Sequence, residues 1–499
     1  MKIRKILCLT LAVMMLLSCM VACGTTTEEP AETKGNTAST GNVESEAQTN
    51  DGLADALERM KDADWGGEAF GVMYVNDIAG YTEEIEAEKE AGDQTSSAII
   101  NDAVYERNCL FEDMCNLTLE LLPTPNPSIM SAMTNEVATQ TGDFVLTTAP
   151  TSITASMATN ALLYNYLDLY IDYEQVWWDQ GTLEFALDGR VFFMNGAHNI
   201  VDDDVTMVMM FNKQLQEDNK IENPYTTVQN SEWTLNYFNT IIQNVSSNTG
   251  DPAWDENDTY GFTTPSSIGN TFFYGAGLQY VVNGRDMDRP ELVLKDSNLE
   301  KATQVLDLAC SIIHDNNSTY LATSGNEILS RNMFVDGRSM FYVEAASYLR
   351  SLNQTMEGDY GVVPIPKWDK AQEHYLTWTH DIGSTLSMPT SVLKSAEKLE
   401  GVLEAYVVLS YQYVKPAYYD TMLTVKNVRD PQSSEMLDLI FQHRTYDMGM
   451  YFADLGMNSL FSTCVATNKD NFASSFKSVS QRFDRKLNTI LGNLEKQGS

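Results

Sequence analysis

Short apolar segments alternate with amphipathic helical segments along the body of this chain. That alternation restricts the fold more than any other feature. Residues 70–75 read as a strand, 99–114 as a helix with Ala103, Val104, Leu110 and Phe111 on one side, and 117–122 and 143–147 as further strands. Residues 161–170 read as a helix or turn. The pattern resumes with strand-like 190–194 and 205–211, a helix start at Ser231-Glu232-Trp233-Thr234, and helices over 299–314 and 327–334, the second ended by Asp336-Gly337. A strand at 339–343, a helix at 345–352 and a strand at 359–364 follow. The end is helical: 396–411, 434–443 and one last helix carrying Phe472, Phe476, Val479, Phe483, Leu487, Ile490 and Leu494 at spacings of three and four. No repeat of fixed short period occurs. Strands alternating with helices imply an α/β fold with mainly parallel sheets.

The N-terminus constrains location. Lys2, Arg4 and Lys5 precede an apolar run over 6–17, too short for a membrane span, and a polar tract follows at once. Cys19 and Cys23 each end a short site, Leu16-Leu17-Ser18-Cys19 and Met20-Val21-Ala22-Cys23, resembling a bacterial lipobox whose thiol receives lipid. Cys23 is favoured for lipid attachment because Val-Ala precedes it and Gly24 opens a linker; Cys19, with Leu16 three places upstream, is the alternative. Residues 1–22 are thus expected to be a lipoprotein signal peptide. Residues 23–62 are expected to be a disordered tether, since 24–51 contain no aromatic residue and cannot bury a core. The expected location is extracytoplasmic, lipid-anchored to the cell membrane.

About 440 residues remain, enough for two or three domains. Apolar residues make up 43% of the chain and aromatics 10%, so a large core is available. The formal charge of −37 excludes a nucleic-acid footprint and is consistent with a soluble, exposed surface. Outside the leader the cysteines are Cys109, Cys115, Cys310 and Cys464. They form no CxxC pair and have no interleaved histidines, so no zinc site is expected. Buried free thiols are the expectation, with one disulfide left open. Walker A, HExxH and GxSxG motifs are all lacking, so no catalytic residue is assigned.

Residues 336–390, DGRSMFYVEAASYLRSLNQTMEGDYGVVPIPKWDKAQEHYLTWTHDIGSTLSMPT, resemble family 1 extracellular solute-binding proteins, the sugar-type, maltose-binding-protein-like components of ABC importers. Weaker likenesses follow in the family's order: INDAVYERN (100–108), WWD (177–179), MMFNKQL (209–215), PYTTV (224–228) and SEWTLNYF (231–238). The resemblance implies a two-lobe periplasmic-binding-protein-like fold of type II, with helix-flanked sheets joined by a hinge. It implies lobe 1 over 63–200 and 380–425, and lobe 2 over 201–379 and 426–499. Hinge crossings are expected at 195–206 and 375–386, with a third near 421–429. The implied function is capture of a mono- or oligosaccharide in the cleft and delivery to ABC permease subunits, by a monomer without cofactor or enzymatic activity. A secreted carbohydrate-active enzyme, and the same fold binding a peptide or other polar solute, are the alternatives.

A sugar site needs aromatic faces for the ring and carboxylates or amides for the hydroxyls. Strand ends and crossings are the places to seek them. The candidate ligand-binding residues are Tyr74, Asn76, Thr148, Trp177, Trp178, Asn195, Glu344, Tyr348, Trp378, His380, Asp381 and Tyr451. Trp233, beside a helix cap, reads as structural. Residues 248–261 resemble a calcium loop through Asp251, Asp255 and Asp258. Ser247, Thr249 and Pro252 break the pattern, so a polar surface loop is expected instead and no metal is assigned.

Overall fold

Two five-stranded sheets account for the alternation read in the sequence. The computed structural model describes residues 52–88, 96–250, 253–315, 317–322, 325–423 and 431–497. The strands are β1 (Ala69–Val75), β2 (Thr118–Thr124), β3 (Leu146–Pro150), β4 (Phe193–Met194), β5 (Met207–Asn212), β6 (Tyr260–Thr264), β7 (Val281–Val282), β8 (Glu291–Leu292), β9 (Thr319–Leu321), β10 (Ser339–Ala345), β11 (Tyr360–Val363), β12 (Thr377–Trp378), β13 (Ser384–Ser387) and β14 (Arg444–Thr445). The first sheet has the order β2-β1-β3-β13-β4 and the second β11-β5-β10-β6-β9. β7 and β8 form a small hairpin, and β12 pairs with β14.

Each sheet is mainly parallel with one reversed strand: β13 in the first and β5 in the second. Those are the strands the chain enters just after passing between the sheets. It leaves β4 at Met194 and enters β5 at Met207, then returns from β12 to β13 across residues 379–383. Residues 424–430, where most of the third crossing was expected, lie outside the described residues.

Burial explains the strands. β5 (MVMMFN) is buried at every position and β1 at all but its first, as expected for strands covered on both faces. Gly71 is required in β1: a Cβ there would sit 2.1 Å from the Asp143 carbonyl oxygen. β2 alternates exposed and half-buried residues and carries Pro123, which an edge strand tolerates. In the second lobe Thr234 caps helix Leu235–Gln243 by accepting the Tyr237 N–H at 3.3 Å. Trp233 is fully buried and donates Nε1–H to the Pro364 carbonyl at 2.8 Å, a structural role.

Several sequence expectations need correction. β3 begins at Leu146 rather than 143, and the helix expected from 345 begins at Tyr348, because β10 continues through Ala345. Of the two readings for 161–170, helix or turn, the turn holds, at Tyr166–Asp168. The final apolar stripe belongs to two helices, Phe472–Ser480 and Phe483–Gln497, broken at 481–482; an unbroken three-four period does not reveal a change of axis. The ordered body also starts before residue 63. Residues 52–60 are helical, with Leu53, Ala56 and Met60 buried in the first lobe, and Arg59 pairs with Glu404. The four body cysteines are free thiols, and Cys109 is exposed rather than buried.

Candidate functional site

The ends of β3 and β10, one from each lobe, converge on residues 379–383. From the first lobe, the Thr151 and Ser152 amides donate to the carbonyls of Gly383 (2.9 Å) and Asp381 (3.2 Å), and the Tyr81 hydroxyl donates to the Ile382 carbonyl at 2.9 Å. From the second lobe, the Ala346 amide donates to the Thr206 carbonyl at 2.9 Å, and the Thr206 and Thr379 hydroxyls lie 3.3 Å apart. Residues 379–383 therefore form a floor reached from both sheets.

His380 and Asp381 stand on that floor, 41% and 25% exposed, with Nδ1 and Oδ1 2.8 Å apart. The His380 ring lies over Trp378 at 5.3 Å between centroids, and Trp378 stacks on Tyr274 at 6.2 Å. Trp378 itself is 2% exposed and donates Nε1–H to the Thr271 hydroxyl at 3.0 Å, so it supports His380 rather than offering its own face. Glu344, at the end of β10, is 20% exposed and accepts from Arg331 (2.9 Å) and from the Tyr342 hydroxyl (2.6 Å). The Arg331 guanidinium covers the buried Tyr348 ring at 4.4 Å. Asn76, just past β1, is exposed.

The remaining candidates lie inside. Tyr74 and Thr148 are paired neighbours in the first sheet and fully buried. Trp178 packs edge-on against Tyr173 and His198, and Trp177 lies near Tyr411. Asn195 is buried beside them, its carbonyl accepting the Asp179 amide at 2.8 Å. Tyr451 reaches the floor from beneath, donating to the Thr379 carbonyl at 2.5 Å. Aromatic side chains at strand ends served the core here, because the same faces that could stack on a sugar stack on each other. In the loop 248–261, Asp258 accepts from the Thr249 amide (2.7 Å) and hydroxyl (3.0 Å) and from the Asp255 amide (2.9 Å), which occupies its carboxylate; Asp251 lies outside the described residues. Among the described residues no three His, Cys, Asp or Glu side chains are placed to hold a metal.

Sequence reasoning missed the charge network of the first crossing. Asp202, Asp203 and Asp204 are all buried. Arg444 reaches Asp202 (3.0 Å), Asp203 (2.7 Å) and Asp179; Lys415 pairs with Asp203; Arg350 reaches Asp204 and, at 3.0 Å, Glu83. The hydroxyls of Tyr446 and Tyr418 donate to Asp202 (2.7 Å) and Asp204 (2.8 Å). Burial pushes Asp202 and Asp204 up to about 6, against the pull of Arg444 and Arg350 respectively. Glu84 clamps both crossings, accepting from the Ile200 (2.8 Å) and Val201 (3.1 Å) amides and from the Ser384 hydroxyl (3.0 Å). Its complete burial pushes it up to about 8, against those amide bonds. Three consecutive acids between two apolar strands were a visible signal; their cationic partners, far along the chain, were not.

Two lobes, two close crossings and a polar floor between strand ends invite comparison with known proteins. No family model and no curated protein sequence matches the chain. Solved structures do. An ABC substrate-binding protein from Listeria monocytogenes in complex with cycloalternan superposes with a TM-score of 0.52 at 12% identity, over 84% of this chain and 99% of that one. UspC from M. tuberculosis gives 0.53 at 13%, over 85% and 100%. UgpB from Mycobacterium tuberculosis in complex with glycerophosphocholine gives 0.53 at 15%, over 79% and 96%.

The chain has the fold of ABC solute-binding proteins. Asn76 is exposed, Glu344, His380 and Asp381 are half-buried, and all four sit at strand ends or on the crossing itself. No helix among the described residues is long and apolar enough to cross a membrane.

Proposed function

We propose that this chain is a lipid-anchored, extracytoplasmic solute-binding protein that takes a carbohydrate between its lobes and hands it to an ABC importer without chemical turnover. The observation that carries this reading is the convergence of both sheets on one polar floor, within a fold shared over most of the chain with ABC binding proteins. Asn76, Glu344, His380 and Asp381 are the proposed contacts to solute hydroxyls, with the flat His380 ring backed by Trp378. Tyr348 supports Arg331 at the same edge. The cycloalternan-bound relative supports a sugar. The leader ending at Cys23 or Cys19 supports the tether.

The burial of Tyr74, Trp177, Trp178 and Tyr451 favours a second reading, because the exposed candidates are hydrogen-bonding groups with few stacking faces. In that reading the solute is a small polar metabolite other than a sugar, and the glycerophosphocholine-bound relative supports it. A thermal-shift screen over mono- and oligosaccharides, glycerophosphodiesters and short peptides separates the two, since a bound solute raises the melting temperature by mass action. Mass spectrometry of the incubated glycans tests turnover; product formation would return the enzyme reading. Replacing Cys19 and Cys23 together by Ser is expected to release the protein from membranes, and continued membrane fractionation would remove lipid anchoring from the account.

A further inference from the structure

Two arginines of the second lobe each grip the first lobe and the first crossing at once. Arg350, on helix Tyr348–Thr355, holds Glu83 of the first lobe at 3.0 Å and Asp204 of the crossing. Arg444, on β14, holds Asp179 of the first lobe and both Asp202 (3.0 Å) and Asp203 (2.7 Å) of the crossing. The Tyr446 hydroxyl, two residues on, lies 3.0 Å from Asp179 and 2.7 Å from Asp202 and shares its one proton between them. These groups are sheltered: Arg444 is 10% exposed, Arg350 15% and Asp179 14%.

Such contacts depend on the angle between the lobes. A charge-assisted hydrogen bond near 2.8 Å does not survive a displacement of one or two ångströms, and a sheltered charge left unpaired is costly. Asp202, Asp203 and Asp204 ride on the crossing and move little when a hinge turns. Glu83 and Asp179 are first-lobe residues outside the crossing, so their distances to Arg350 and Arg444 change with the angle. The exposed Arg338–Asp336 pair lies within the second lobe, two residues apart, and does not depend on the angle.

We propose that Arg350 and Arg444 are positioning residues for the angle between the lobes, whose pairs with Glu83 and Asp179 form two braces that hold the lobes in the arrangement described here before solute arrives. This rests on the cleft-binding reading above, but the first measurement needs no solute. Weakening the braces shifts the populations of lobe angles, and apparent affinity moves with the binding-competent fraction while the solute contacts stay intact.

The test uses Glu83→Gln, Asp179→Asn and the double variant of the full mature chain, with Asp336→Asn as control. Solution scattering without solute is expected to show a changed radius of gyration for the double variant, a smaller change for each single one and none for the control. With a solute found by the screen, saturated curves should coincide with the native protein, and apparent affinity should change about 3- to 10-fold for the double variant. Glu83→Gln safeguards folding, because Glu83 is 34% exposed and Arg350 keeps Asp204 as a partner. Unchanged solute-free scattering for both folded single variants would overturn the proposal, whether or not a solute is ever found. A screen without hits, alongside variants whose scattering still changes, would count against the function and leave the braces standing.

Discussion

The two crossings between the lobes do the same topological work with opposite chemistry. The first buries three consecutive carboxylates and surrounds them with Arg350, Lys415 and Arg444. The second leaves His380, Asp381 and Ile382 accessible and fixes its backbone instead, through amide and hydroxyl bonds to Thr151, Ser152 and Tyr81. Side-chain charge sets the first; main-chain hydrogen bonding sets the second and leaves its side chains accessible. Under the proposed function the hinge divides its labour, one crossing holding the angle and the other presenting chemistry.

Arg444→Met should break that contrast hardest. It strips the shared cation from Asp179, Asp202 and Asp203, and a loss of about 3–5 kcal/mol of unfolding free energy is expected in denaturant melts. A loss under about 1 kcal/mol would mean that the carboxylates are neutral or hydrated rather than paired. Trp378→Ala should cost nearly as much, about 3 kcal/mol, because Trp378 is buried on Tyr274 and bonded to Thr271. If melts are nearly unchanged while solute affinity collapses, Trp378 is a contact residue and the second crossing reaches deeper into the site than its burial indicates.

Acidity sharpens the comparison through Glu84, which holds both crossings. Its folded value near 8 lies above its ordinary value, so the folded state keeps a proton that the unfolded chain releases. The stability this contributes is present at low pH and is lost as pH rises through about 8. Asp202 and Asp204, near 6, act the same way at lower pH. His198 opposes them: burial, helped by Arg107, pushes it down to about 3, so its contribution is present above about 6.5 and lost on acidification. Between pH 6.5 and 8.5 Glu84 acts with the least opposition, and stability should fall with rising pH by about 1–2 kcal/mol in total. Glu84→Gln should flatten that slope in thermal melts at several pH values; an unchanged slope would assign the titration elsewhere.

His380→Ala should show the smallest effect on folding, within about 0.5 kcal/mol, since the ring is accessible. If the second crossing presents chemistry, the same variant should weaken solute binding about tenfold by calorimetry. Equal affinities for variant and parent would remove His380 from the site.

Much of the fold could be read from residues alone. β1, β5, β10 and β11 announce themselves as apolar runs, and helix Asp296–His314 as a three-four stripe, because burial of one face imprints a local period on the chain. Boundaries failed where neighbours decided them, as at β3, which starts only where β1 and β13 offer partners, and at 481–482, where a change of helix axis leaves the stripe intact. For the proposed site the sequence offers position alone. The rule of strand ends and crossings names Asn76, Glu344, His380 and Asp381, whose side chains are accessible, and equally Tyr74, Thr148 and Trp178, which the core took.

What the sequence by itself determined is what short-range physics writes: the order of strands and helices, an α/β class and a strongly acidic composition. Only the tertiary structure decided which charges meet. Arg444 reaches Asp202 across 242 positions, and Arg350 reaches Glu83 across 267. No local period encodes such a pair, because each side chain has many acceptable partners in an acidic chain. The partner is chosen by where two sheets and their crossings bring backbone segments together.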